Sequence, residues 1–121
     1  MNNILDAIVK NKKIEVNNKK EIFSLNFIIK YPLYKRNTIS LKSNLNSSNT
    51  GIIAEFKRRS PSKNNINSSL SVYDVAKSYE KNSACGISIL TDNKYFGGSL
   101  EDLIQARSNS NLPLLRKEFI I

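Results

Sequence analysis

Apolar residues in the first part of the chain recur at helical spacing. Ile4, Leu5, Ile8 and Val9 form an i, i+1, i+4, i+5 stripe, the pattern of one buried helix face. Asn3 is a suitable cap, so a helix is predicted from Ile4 to Lys20. Glu21 to Lys30 is apolar, but its spacing leaves a second helix and a strand both open. The pattern breaks at Tyr31-Pro32, because the residue before a proline avoids the helical region. A short helix is predicted near Thr38–Leu45, and Asn44 to Thr50 is a loop by composition. Within it Asn46-Ser47-Ser48 matches a glycosylation sequon, which carries no weight without a secretion signal.

Beyond Thr50 the pattern becomes regular. Gly51 to Lys57 is a compact strand, and Val72, Val75, Ala76 and Tyr79 repeat at helical spacing within Ser71–Lys81. Gly86 to Thr91 is a second strand, followed by a loop holding Phe96-Gly97-Gly98. Ser99-Leu100-Glu101-Asp102 opens the next helix with a Ser-x-x-Asp resembling a capping box. Leu100, Leu103, Ile104 and Arg107 continue that helix, and Leu114 to Ile121 is a third strand. Strands alternating with helices of this length predict βαβ units and a parallel sheet, an α/β fold. Three strands and two helices close nothing, and the third strand is still apolar at Ile121. A bare edge there is an aggregation hazard, so a fragment of a larger fold is expected.

Composition then narrows the chemistry. The chain of 121 residues has no histidine and a single cysteine. That excludes triads that use histidine, imidazole metal ligands, an intramolecular disulfide and metal sites built on cysteine clusters. Acid–base work must rest on Lys, Glu, Asp or Tyr. Cys85 is expected to be a small apolar filler ahead of the second strand. The net charge of +9 is a known footprint of nucleic-acid binding. Here, however, the lysines are scattered among Asn and Ile, as in Asn11-Lys12-Lys13 and Asn17-Asn18-Lys19-Lys20. No aromatic residues interleave with them as a stacking platform requires, so a solvated surface and no nucleic-acid partner are expected. No run approaches the ~18 apolar residues of a membrane span. Met1-Asn2-Asn3-Ile4-Leu5-Asp6 does not look like a signal peptide. A cytoplasmic protein without a membrane partner is the expectation.

Strand parity brings out the candidate chemistry. Ile53, Glu55 and Lys57 share one face of the first strand, with Ala54 and Phe56 on the other. Leu115, Lys117 and Phe119 are expected to share a face of the third. Acid and base together near the end of a buried parallel strand are costly unless paired. From spacing alone, the lysines fit equally well as strand ends whose ammonium groups reach out to water.

The wording around these residues resembles one family. Ile53-Ala54-Glu55-Phe56-Lys57-Arg58-Arg59-Ser60-Pro61-Ser62-Lys63 is similar to the first-strand signature Glu-x-Lys-x-x-Ser-Pro-Ser of indole-3-glycerol-phosphate synthases. Ile89 to Leu100 resembles the family's second strand and loop, Leu112 to Ile120 its third strand, and Asn3-Ile4-Leu5-Asp6 with Ile8-Val9 its N-terminal helix. The resemblance implies the N-terminal part of a (β/α)8 TIM barrel. Residues 1–50 would be a helical extension and linker, and 51–121 the first three strands and two helices of an incomplete barrel. It also implies ring closure on a phosphorylated carboxyphenylamino-deoxyribulose, with loss of carbon dioxide and water and with neither cofactor nor metal. Lys117 would be the general acid. Lys57 would bind the substrate carboxylate and assist proton transfer, and Glu55 would hold both lysines by ion pairing. The two converging ammonium groups would lower each other's pKa toward a useful range. Ser60 would reach the phosphate, and Phe96 and Phe119 would wall the aromatic ring. Gly97-Gly98-Ser99 is expected to make a turn rather than cradle phosphate. Asn64 stands where the family usually has glycine, so a strained positive φ is expected there. The family's second catalytic glutamate and most of its phosphate site belong to later strands. The chain is therefore expected to be inactive alone and to need the remainder of the barrel as a partner. A basic binding protein or a degraded remnant is the alternative.

Overall fold

The computed structural model describes residues 3–121. Met1 and Asn2, part of the amino-terminal stretch read above, lie outside the described residues. Residues up to Thr38, together with Phe119–Ile121, form one compact unit, and Ile39–Glu118 form another.

In the first unit, α1 (Ile4–Ile22) begins where predicted, with Asn3 Oδ1 accepting from the Leu5 N–H at 3.1 Å. Ile8 is buried, as its place in the stripe requires. Glu15 accepts from Lys12 at 2.7 Å and from Lys19 at 2.6 Å; such one-turn pairs each steady a helix by about 0.2–0.5 kcal/mol. The ambiguous segment is helical: α2 (Leu25–Ile29) starts at Ser24, whose hydroxyl accepts from the Phe27 N–H at 3.2 Å. One-turn spacing sets the Phe23 and Phe27 rings 5.5 Å apart and those of Phe27 and Tyr31 6.2 Å apart.

The second unit opens with α3 (Leu41–Ser47), capped by Ser40. The helix therefore runs into the stretch expected to be loop. Its serines satisfy their own turns, Ser47 Oγ donating to the Ser43 carbonyl at 3.0 Å. Three parallel strands follow, β1 (Ile53–Phe56), β2 (Gly86–Leu90) and β3 (Leu114–Lys117), in the order β1-β2-β3. The crossovers are α4 (Val72–Lys81) and α5 (Leu100–Asn109). Every residue of the central strand β2 is buried, which explains its continuous apolar run. Phe56, Ile87 and Ile89 pack with Val72 and Ala76 of α4 and Ala106 of α5 to form the core. Cys85 is buried just before β2, as a filler should be.

α3 rests on the N-terminal end of β2. Asn44 Nδ2 donates to the Cys85 carbonyl at 3.2 Å. A Cβ at Gly86 would lie 2.5 Å from Leu41 Cδ1, which would have to swing aside, and a tight 3.1 Å from the Pro113 carbonyl oxygen, so glycine eases the approach of the helix.

β3 is shorter than expected. Its register pairs Leu90 with Lys117, and the Thr91 N–H reaches the Lys117 carbonyl at 3.0 Å. β2 then turns into its loop and offers no further ladder partner, so the strand stops at Lys117. Phe119 consequently does not share a strand face with Leu115 and Lys117.

Candidate active site

The register sets one layer of the sheet as Glu55, Ser88 and Leu115, and Leu90 beside Lys117 in the next. These positions alternate with the core residues Phe56, Ile87 and Ile89 and so face away from α4 and α5. On that face Glu55 gathers both lysines. Lys57 Nζ donates to Glu55 Oε1 at 2.8 Å and Lys117 Nζ to Glu55 Oε2 at 2.8 Å. Side-chain exposure is 31% for Lys57, 28% for Glu55 and 56% for Lys117. The lysines do not reach independently into water; two ammonium groups converge on one half-buried carboxylate. β3 is two strands from β1, so the Lys117–Glu55 bond spans about 10 Å of sheet at the usual strand spacing and passes over β2.

Partial burial pushes the Glu55 carboxyl upward, but hydrogen bonds from Lys117 and Lys57 outweigh it and hold the group below its ordinary value. Glu55 is therefore the anion of the cluster, and it offsets the mutual repulsion of the two cations.

The loop after β1 is tied down at several points. Ser60 and Lys63 exchange main-chain hydrogen bonds of 2.9 and 3.0 Å, while Ile66 and Asn67 N–H groups return to the Arg58 carbonyl. The Ser60 hydroxyl lies 3.2 Å from that of Ser62. Asn64 follows this turn without strain, since among the described residues Ser83 is the one non-glycine residue at positive φ. The expected distortion at Asn64 is thus absent, because the Ser60–Lys63 bridge makes the reversal before the chain reaches it.

The loop after β2 is held against this one. Gly97, at φ 68°, makes the expected turn, its N–H reaching the Asn93 carbonyl at 2.9 Å. Phe96 is half-buried in the same loop. The Arg58 guanidinium grips both oxygens of Asp102, one at 2.8 Å, and also donates to the Gly97 carbonyl at 3.3 Å. It lies 4.9 Å from the centre of the Phe56 ring. Arg59 donates to the carbonyls of Asn93 and Lys94 at 2.9 and 3.1 Å. Asp102 does not complete a reciprocal capping box; Ser99 accepts from its N–H at 3.1 Å, but its carboxylate is spent on Arg58. Sequence reading missed this clamp because its partners lie 44 residues apart and Asp102 already had a local explanation.

Glu55 and Lys57 also border an open groove of about 460 Å³ beside the outer edge of β1, with Asn65, Asn67, Leu70 and Tyr79 in its wall. The Tyr79 hydroxyl donates to the Glu55 carbonyl at 2.9 Å. Of the residues singled out from sequence, Glu55, Lys57 and Lys117 are brought together. Ser60 and Phe96 lie in the two clamped loops. Phe119, half-buried, belongs to the other compact unit.

The family model for indole-3-glycerol phosphate synthase matches residues 5–121. The chain belongs to the indole-3-glycerol phosphate synthase family. The synthase of Bacteroides thetaiotaomicron is 43% identical over 121 residues, covering 100% of this chain and 46% of the relative. That of Bacillus mycoides is 45% identical over 122 residues, covering 100% of this chain and 45% of its own length. A 72-residue stretch, 60% of this chain, is 57% identical to 27% of the synthase of Desulfosudis oleivorans. The chain thus spans under half the length of these synthases, and its three parallel strands with their helices correspond to part of the family's barrel. No described helix is long and apolar enough to cross a membrane.

Proposed function

We propose that this chain carries the lysine-bearing side of an indole-3-glycerol phosphate synthase site, in the cytoplasm, on the path to tryptophan. The convergence of Lys57 and Lys117 on Glu55 supports this reading most directly. The substrate is 1-(2-carboxyphenylamino)-1-deoxyribulose 5-phosphate. A ring carbon bonds to the ribulose carbonyl carbon as the carbonyl oxygen takes a proton; carbon dioxide and then water leave, and the indole ring remains. A cation that can give up a proton is needed at that oxygen, and a second cation at the departing carboxylate. Lys117 takes the first role and Lys57 the second, with Glu55 keeping both in place until substrate competes for them. Ser60 is proposed to meet the phosphate, and Phe96 and Phe119 to line the ring. Residues 51–121 then supply the barrel portion and 1–50 the extension.

Because the chain spans under half the length of its relatives, turnover is proposed to require the rest of the barrel. The test is a fluorescence assay for indole-glycerol phosphate with the 121 residues alone, and then with the unmatched C-terminal portion of the Bacteroides synthase added. No turnover alone and turnover in the mixture are expected, with Lys117→Met lowering kcat by at least about 100-fold, as loss of a general acid should. Turnover by the chain alone, or a mixture indifferent to Lys117→Met, refutes the assignment.

A further inference from the structure

Ser88 lies in the middle of the charged face of the sheet. It is 5% exposed, and its Oγ has no hydrogen-bond partner among the described residues. A buried hydroxyl without a partner is costly and calls for an explanation. Its register partner on β1 is Glu55, so the two side chains project from the same face about 4.8 Å apart at their bases. Both Glu55 oxygens are occupied by ammonium groups, Oε1 by Lys57 and Oε2 by Lys117. The second of these bonds crosses β2, the strand that carries Ser88.

We propose that Ser88 is a positioning residue: its hydroxyl donates to the Glu55 carboxylate in place of Lys117 when that ammonium turns to an oxygen of the substrate. This rests on the reading of Lys117 as the group that meets substrate. The physical need is plain. A half-buried carboxylate that loses one of two donors is left undercompensated, which would draw the lysine back and slow its transfer to the ligand. An O–H held at the neighbouring register position fills the gap without adding charge. While Lys117 draws Glu55 Oε2 across the sheet, Ser88 Oγ makes no hydrogen bond to the carboxylate, and its hydroxyl is idle in this state.

The test needs no substrate and no turnover. The Glu55 carboxyl is titrated by carbon-13 NMR in the 121-residue chain and in its Ser88→Ala, Lys117→Met and double variants. Lys117→Met stands for the state in which the ammonium has left. Ser88→Ala is expected to raise the Glu55 pKa by under about 0.3 in the parent chain, but by about one pH unit in the Lys117→Met chain, the size of a lost hydrogen bond to a carboxylate. Ser88→Thr in the Lys117→Met background keeps the hydroxyl and should restore the value. Equal effects of Ser88→Ala in the two backgrounds, or none in either, overturn the proposal, and so does failure of the threonine to rescue. These outcomes leave the synthase assignment standing, since that falls only in the turnover assay.

Discussion

The two faces of the same small sheet are built on opposite principles. Toward α4 and α5, the alternate residues Phe56, Ile87 and Ile89 are apolar and closed over by Val72, Ala76 and Ala106 from the chain's own helices. On the other face stand Glu55, Lys57 and Lys117, held by charge and hydrogen bonds rather than by helices, with the unpartnered hydroxyl of Ser88 beside Glu55. One face is locally complete and makes the unit fold. The other concentrates the groups that could act on a ligand, at the C-terminal strand ends where barrels place their chemistry.

The contrast breaks most readily on the packed face. Ile89→Ala should destabilise the chain by about 3 kcal/mol, since it empties a fully buried site between two helices and relaxation is only partial; urea unfolding measures it. A loss below about 1 kcal/mol would mean that the helices do not close that face in solution. The clamp between the loops comes next. Arg58→Met leaves the Asp102 carboxylate, 7% exposed, without its cation, and about 2 kcal/mol is expected after allowing for the exposure of the arginine. An unchanged unfolding midpoint would mean the pair contributes only geometry. The charged face should respond least, and mainly to acid. The carboxyl of Glu55 is held below its ordinary value, so the folded chain binds its proton less readily than the unfolded chain does. Its contribution is complete above the ordinary glutamate value and is lost as pH falls through the depressed one. Glu55→Gln should therefore flatten the decline in stability in acid, with little effect near pH 7 beyond loss of the pairing itself. An acid limb of the same steepness in the variant would assign that decline to other carboxylates.

Much of this contrast is legible along the chain. The period-two alternation in Ile53-Ala54-Glu55-Phe56-Lys57 separates the two faces before any coordinates, because the pleat permits no other arrangement. Helical spacing finds α4 and α5 for similar local reasons. What escapes is whatever depends on register or distant partners. Phe119 could not be placed from alternation alone, since β3 stops where β2 stops offering ladder partners. α2 stayed ambiguous because five residues carry too little periodicity, and Ser24 settles it as a cap. Asp102 had an adequate local reading as part of a helix cap, and only the docking of one loop on the other pairs it with Arg58. Ser88 looked like any small residue in an apolar run, and it matters only beside Glu55.

The clamp between the loops also bears on how such a protein can change over generations. Arg59 holds the main-chain oxygens of Asn93 and Lys94, and Arg58 that of Gly97. Every amino acid presents the same carbonyl, so the grip does not depend on which side chains positions 93 and 94 carry. Drift at position 94 can explore new surfaces while the two loops stay docked, whereas Asn93 is also tied by its side chain, Nδ2 donating to the Gly98 carbonyl at 3.3 Å. The neighbouring Gly97 has no such latitude, since its φ of 68° penalises a side chain. The loop thus combines a fixed backbone with variable contents, an arrangement well suited to acquiring altered specificity without first losing its shape.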